Sequence, residues 1–188
     1  MMSASVFFSK YLVTDQIFYK TKHCYALVNL RPIVPGHILI VPLRTSCIHL
    51  KDLNAEELSD YFKTLQVVQQ FIQEEYRADS LNIAIQDGPE AGQTVPHLHT
   101  HVIPRYKLNN IGDKIYQKMD NWTFDSDLHD WEKRRAAYIS NEGREATREL
   151  AKPDDQKAER TPADLKREAL YLGEKLQQFL SKNPHLAP

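Results

Sequence analysis

A chain of 188 residues, 41% hydrophobic and 26% charged, has material for one globular domain with a genuine core and an appendage. Its formal net charge of −1 gives no electrostatic footing for a nucleic-acid or anionic-membrane partner. The apolar runs fall far short of the roughly 20 residues a membrane span needs. The first ten residues lack a secretory pattern, and two cysteines make no disulfide scaffold, so a reducing setting, cytoplasmic and also nuclear, is expected.

From residue 6 to 50 the pattern predicts short strands at Val6–Leu12, Ile17–Thr21, Cys24–Asn29 and His37–Val41. Arg31-Pro32 and Pro35-Gly36 punctuate them, and Pro42 stops the last. A helix then starts at Asn54 as N-cap, with Glu57 three residues on as the return half of a capping box. Leu53 and Leu58 are the expected hydrophobic staple. Leu58, Tyr61, Phe62, Leu65, Val68 and Ile72 recur at helical spacing and predict its buried face. Leu81–Gln86 alternates like a half-buried strand, and a turn-rich loop, Asp87 to Gly92, leads to the next strand. Two strands so joined are expected to be antiparallel neighbours, which brings Gln86 toward that next strand.

That strand carries His97, His99 and His101. At about 3.3 Å per residue with alternating faces, the three imidazoles share one face, while Leu98 and Thr100 point to the other. Three readings compete: hydrogen-bonded core histidines, a three-histidine zinc set, and a nucleophilic imidazole positioned by its neighbours. Beyond Arg105 the chain turns polar. Residues 107–160 read as a loop and a linker, partly disordered, with Trp122 and Trp131 packing on the domain surface. A final helix over 161–181 begins with Thr161 as N-cap and Pro162 at its first turn. Leu165, Ala169, Leu172, Leu176 and Phe179 form its apolar stripe, which docks on the domain or meets a partner. The fold class expected is α+β: a mostly antiparallel sheet with one long helix over residues 6–106, plus the C-terminal helix.

Val34-Pro35-Gly36-His37, the run Gln86 to Gln93 and Pro96 to His101 stand together in this order, and the combination closely resembles the histidine triad superfamily. Within it the likeness, from about Phe8 to Tyr106, is to the fragile histidine triad branch of dinucleoside triphosphate hydrolases. A related transferase group has Gln where this chain has His101. The resemblance implies two-step hydrolysis of diadenosine triphosphate to AMP and ADP. In that scheme His99 forms a nucleotidyl-histidine, His97 and His37 support the hydrogen-bond arrangement, and His101 donates to a phosphate oxygen. It further implies that Gln86, Gln93 and Thr94 contact the phosphates, assisted by backbone amides from Gly92 to Val95, and that Asn29 contacts a ribose. A homodimer is implied too, as is a divalent cation, Mg²⁺ or Mn²⁺, that accompanies the substrate instead of occupying a protein-held site. Lys10 stands where some relatives carry a base-approaching histidine, and Tyr116 lies in a segment like a tyrosine-bearing loop of the family. Two alternatives accompany this reading: a nucleoside phosphoramidate hydrolase, and a nucleotide-sensing protein whose substrate complex is the signal.

Overall fold

The computed structural model describes residues 5–32, 34–106 and 160–187. Five strands form one antiparallel sheet: β3 (Ile17–Lys20), β4 (Cys24–Val28), β5 (Ile38–Pro42), β6 (Ser80–Ile85) and β7 (Thr100–Arg105), in the order β3-β4-β5-β7-β6. The predicted single strand Val6–Leu12 is instead a small hairpin, β1 (Phe7–Phe8) and β2 (Tyr11–Leu12), because the chain reverses at Ser9-Lys10. Pro42, expected to stop β5, is its last residue and lies opposite Cys24.

Alternation sends Cys24, Ala26, Val28, Ile38, Ile40, Leu98 and Val102 to one face, where the first helix covers them. That helix, α1 (Ala55–Glu75), opens with the predicted capping box: Asn54 Oδ1 accepts the Glu57 amide at 2.9 Å, and Glu57 Oε2 accepts the Asn54 amide at 3.0 Å. Its buried side is rotated from the predicted stripe. Tyr61, Leu65, Val68 and Ile72 are buried as expected, joined by Thr64, Val67 and Phe71, whereas Leu58 and Phe62 are exposed. The sheet reads this helix through Tyr61, whose hydroxyl bridges the Ile40 carbonyl at 3.0 Å and Thr100 Oγ1 at 2.7 Å.

The C-terminal helix, α2 (Pro162–Lys182), docks on the domain. Its predicted stripe of Leu165, Ala169, Leu172, Leu176 and Phe179 is buried in the same cluster as α1 and the sheet, with the Phe179 and Phe71 rings 5.8 Å apart. The expectations for residues 107–159, including Tyr116, Trp122 and Trp131, lie outside the described residues. On the opposite face of the sheet a second cluster, Val6, Val13, Tyr25, Leu27, Leu39 and Val41, seats the β1–β2 hairpin. No described helix is long and apolar enough to cross a membrane.

Glu57 has a second role. Arg44 donates to both its carboxylate oxygens, at 2.8 and 2.7 Å, and to the Asp52 carbonyl at 2.6 Å. This fork, helped by the Asn54 amide, holds the buried Glu57 carboxyl down at about 2 against the desolvation that opposes it. Because the folded pKa is depressed, the pair's stabilisation is complete above the ordinary glutamate value of 4.5 and is lost as pH falls toward 2. Thermal melts across pH 2–7 check this. Glu57→Gln lowers Tm at neutral pH and flattens its decline between about pH 5 and 2.

Candidate active site

Two connections build the site, the segment that follows β5 and the loop between β6 and β7. The segment from Leu43 to Leu53 crosses behind the histidines: the Cys47 carbonyl accepts the Leu98 amide at 2.8 Å, and His49 Nδ1 meets Asp87 Oδ1 at 3.1 Å. Asp87 also accepts the Leu50 amide at 3.2 Å, which pins the start of the Gln86–Gln93 loop to the same crossing. Gly92, at φ +88°, ends that loop beside Gln86. That left-handed backbone favours glycine, and a Cβ there would stand 2.8 Å from Gln86 Nε2 and displace the end of that side chain.

The histidines share one face as predicted, but only His101 lies within a regular strand; His97 sits in a bend just before β7. Leu98 enters the helix-side core and Thr100 bonds Tyr61, as the alternation requires. His101 lies opposite Leu39 on β5 and Ala84 on β6, on the strand between them.

Each ring has a defined hydrogen-bond role. His99 Nδ1 donates to the His97 carbonyl at 2.8 Å, which puts the proton on Nδ1 and leaves the lone pair on Nε2. Burial lowers the His99 pKa below the ordinary 6.5, against the His97 carbonyl that raises it, so the neutral form prevails near pH 7. His97 Nδ1 accepts the Ser9 amide at 2.9 Å, so its proton belongs on Nε2. Burial takes His97 down to about 4, and the neighbouring backbone of Pro42 only partly opposes it. Asn29 Oδ1 accepts the Arg31 amide at 3.0 Å, which turns its Nδ2 to His37 Nε2, 3.2 Å away. His37 Nε2 in turn lies 3.0 Å from His101 Nδ1. With Asn29 donating, the single lone pair of His37 Nε2 is shared between Asn29 Nδ2 and His101 Nδ1, which puts the His101 proton on Nδ1. Burial, then the adjacent His99, bring His101 to about 4, and its buried Nε2 has no partner among the described residues.

Gln93 was predicted to face phosphate. Its buried amide instead donates to the Ile48 carbonyl at 2.8 Å and leans on the His97 carbonyl at 3.4 Å, the same oxygen that takes the His99 proton. Thr94 is exposed, and Gly92 and Val95 are half-buried beside it. Lys10 is exposed at the hairpin turn, its ammonium 5.5 Å from the Tyr11 ring centre. Two contributors escaped sequence reasoning. Phe8 packs its ring on both His97 and His99, and Arg160 donates to the Asn29 carbonyl at 3.4 Å while paired with Glu168 of α2. Tyr76 at the end of α1 bonds the same Glu168, and its ring fills the space beneath Gly36 (φ +81°), where a Cβ would stand 2.7 Å away. Among the described residues no three His, Cys, Asp or Glu side chains are grouped to hold a metal ion.

An imidazole with a free Nε2, flanked by two more on an antiparallel sheet, is the hallmark of histidine triad proteins. The HIT domain profile matches residues 12–108, and the chain belongs to that family. Over 202 aligned positions it is 51% identical to the bis(5'-adenosyl)-triphosphatase of Saccharomyces cerevisiae, covering 98% of both chains. It is 47% identical over 120 residues to the asymmetrical bis(5'-nucleosyl)-tetraphosphatase of Schizosaccharomyces pombe, covering 63% of this chain and 65% of that one. Among solved structures, the Plasmodium falciparum diadenosine triphosphate hydrolase bound to cyclomarin A superposes with a TM-score of 0.64 at 25% identity, covering 95% of this chain and 88% of that chain. These relatives put the chain in the fragile histidine triad branch.

Proposed function

We propose that this protein hydrolyses diadenosine triphosphate to AMP and ADP through a nucleotide covalently held on His99. The carrying observation is the 2.8 Å bond from His99 Nδ1 to the His97 carbonyl, which frees Nε2 for attack; the 51% identity to a bis(5'-adenosyl)-triphosphatase supplies the substrate. His99 Nε2 attacks the α-phosphorus, a P–N bond forms, and the bond to the ADP oxygen breaks. Water then attacks the same phosphorus, AMP departs, and His99 regains its lone pair.

His101 is neutral in the free protein, with its proton turned to His37. A polyphosphate beside Nε2 supplies the negative charge that burial otherwise withholds, so His101 takes up its second proton with the substrate and donates to a phosphate oxygen. Asn29, hydrogen-bonded to His37, is suited to a ribose, and Gln86, which follows β6 and lies against Gly92, to phosphate. The amides from Gly92 to Val95, with Thr94, complete the phosphate side. Gln93 acts from behind, through the carbonyls it holds. Mg²⁺ or Mn²⁺ travels on the polyphosphate and screens its charge.

Two copies of the chain form a homodimer in this reading. Strand β6 lies at the sheet edge with Ile83 and Ala84 exposed, and an open edge invites a second strand. The two buried free thiols, Cys24 and Cys47, suit the reducing cytoplasm and nucleus.

Turnover in oxygen-18 water tests the route. Label found in AMP and not in ADP supports attack at the α-phosphorus, with nucleotidylated His99 recovered after a rapid, acid-free quench. Label in ADP contradicts it.

A further inference from the structure

The β1–β2 hairpin has an unusual relation to the histidine row. Its foot is anchored on the sheet: the Val13 amide donates to the Val6 carbonyl, the Val6 amide to Thr14 Oγ1 and the Tyr25 hydroxyl to the Phe7 carbonyl, each at 2.9 Å. Yet the hairpin scarcely buries its own apolar side chains, since Phe7, Tyr11 and Leu12 are all exposed. Phe8 is the exception. Its ring lies 5.6 Å from that of His97, tilted by 31°, and meets His99 edge to face at 5.3 Å and 82°. The next residue, Ser9, sits at φ +54°, a conformation a serine rarely adopts, and its amide is thereby aimed at His97 Nδ1.

We propose that the hairpin is a positioning clamp on the nucleophile, in which the Ser9 amide fixes the His97 tautomer and Phe8 holds the His99 ring in its attacking orientation. The inference rests on His99 being the nucleophile. Contact runs from Ser9 through the His97 ring, and from the His97 carbonyl to His99 Nδ1, so two neighbouring imidazoles are locked in opposite tautomers. Phe8 also excludes water from His99. A reacting nitrogen displaced by even 1 Å loses much of its rate, so the clamp acts on the chemical step more than on substrate affinity.

Other titratable groups cannot easily account for a change at His99. Those facing it are His97 and His101 on its own segment, with the His101 ring 5.0 Å away and His37 behind it. Lys10, on the hairpin, is exposed over Tyr11.

The test combines side-chain ¹⁵N NMR of the free protein with steady-state kinetics on diadenosine triphosphate from pH 5 to 9. The spectra are expected to show His97 protonated on Nε2 and His99 on Nδ1. Phe8→Ala is expected to lower kcat by about tenfold, with KM changed much less. It also moves the acid limb of kcat/KM to higher pH, because a more solvated His99 protonates more readily. Phe8→Leu, which keeps an apolar cover, falls between. A raised KM with unchanged kcat and an unmoved acid limb makes Phe8 a substrate contact and overturns the clamp, as does a proton on His97 Nδ1. Failure of the underlying reading looks different: His99→Asn then retains turnover whatever the tautomers are.

Discussion

His99→Asn is expected to reduce turnover of diadenosine triphosphate by on the order of 10⁴-fold or more, because a two-step route has no substitute for its attacking atom. Asparagine keeps a polar side chain of similar reach, and its amide can still donate to the His97 carbonyl that now accepts from His99 Nδ1 at 2.8 Å. What disappears is the lone pair directed at phosphorus. Substrate affinity, read by calorimetry on the inert variant, therefore stays within about threefold of the wild-type KM on this account, since ground-state contacts survive. Companion substitutions separate the roles. His101→Asn damages phosphate stabilisation and leaves a slow enzyme that still forms the covalent species. A His99→Asn protein that turns over at more than about 1% of the wild-type rate is incompatible with the proposed chemistry.

Leu172→Ala is expected to destabilise the folded protein by about 2–5 kcal/mol, the usual cost of truncating a fully buried leucine. Leu172 has no exposed surface and lies in the main core cluster, although it is far along the chain from the histidines. Leu170, two residues away on α2, is 67% exposed, and its replacement by alanine is expected to change stability by less than about 0.5 kcal/mol. Urea unfolding of the pair distinguishes a helix built into the domain from one waiting for a partner. Equal, small effects at both positions would mean that α2 does not carry the core.

The contrast between these leucines marks what a sequence can and cannot disclose. The stripe on α2 was legible from its spacing, but spacing does not say what covers a stripe. That answer depends on β3 and α1 packing against it. The capping box at Asn54 was fully legible because its partners are three residues apart. The fork between Arg44 and Glu57 was not, since it joins residues brought together by the crossing from Leu43 to Leu53. On α1 the pattern misjudged Leu58 and Phe62. The helix turns Thr64, Val67 and Phe71 inward, and only the position of the sheet fixes that phase.

At the site, the alternation of His97, His99 and His101 was readable because side-chain period is a local property. The direction of Gln93 was not readable: it is set by the Ile48 carbonyl, 45 residues away. Nor was Phe8, which looks in sequence like one more strand aromatic. The hairpin turn at Ser9 that delivers it depends on a hydrogen-bond acceptor 88 residues distant.

The docking of α2 bears on the order in which this molecule can be assembled. During synthesis the entire triad leaves the ribosome well before Leu172 and Phe179, so a nascent chain can pair its strands while one flank of its core still faces water. Arg160, which reaches the Asn29 carbonyl, emerges just as late. A chain interrupted before Leu165 would thus leave the apolar side chains of β3 and α1 that α2 covers facing solvent.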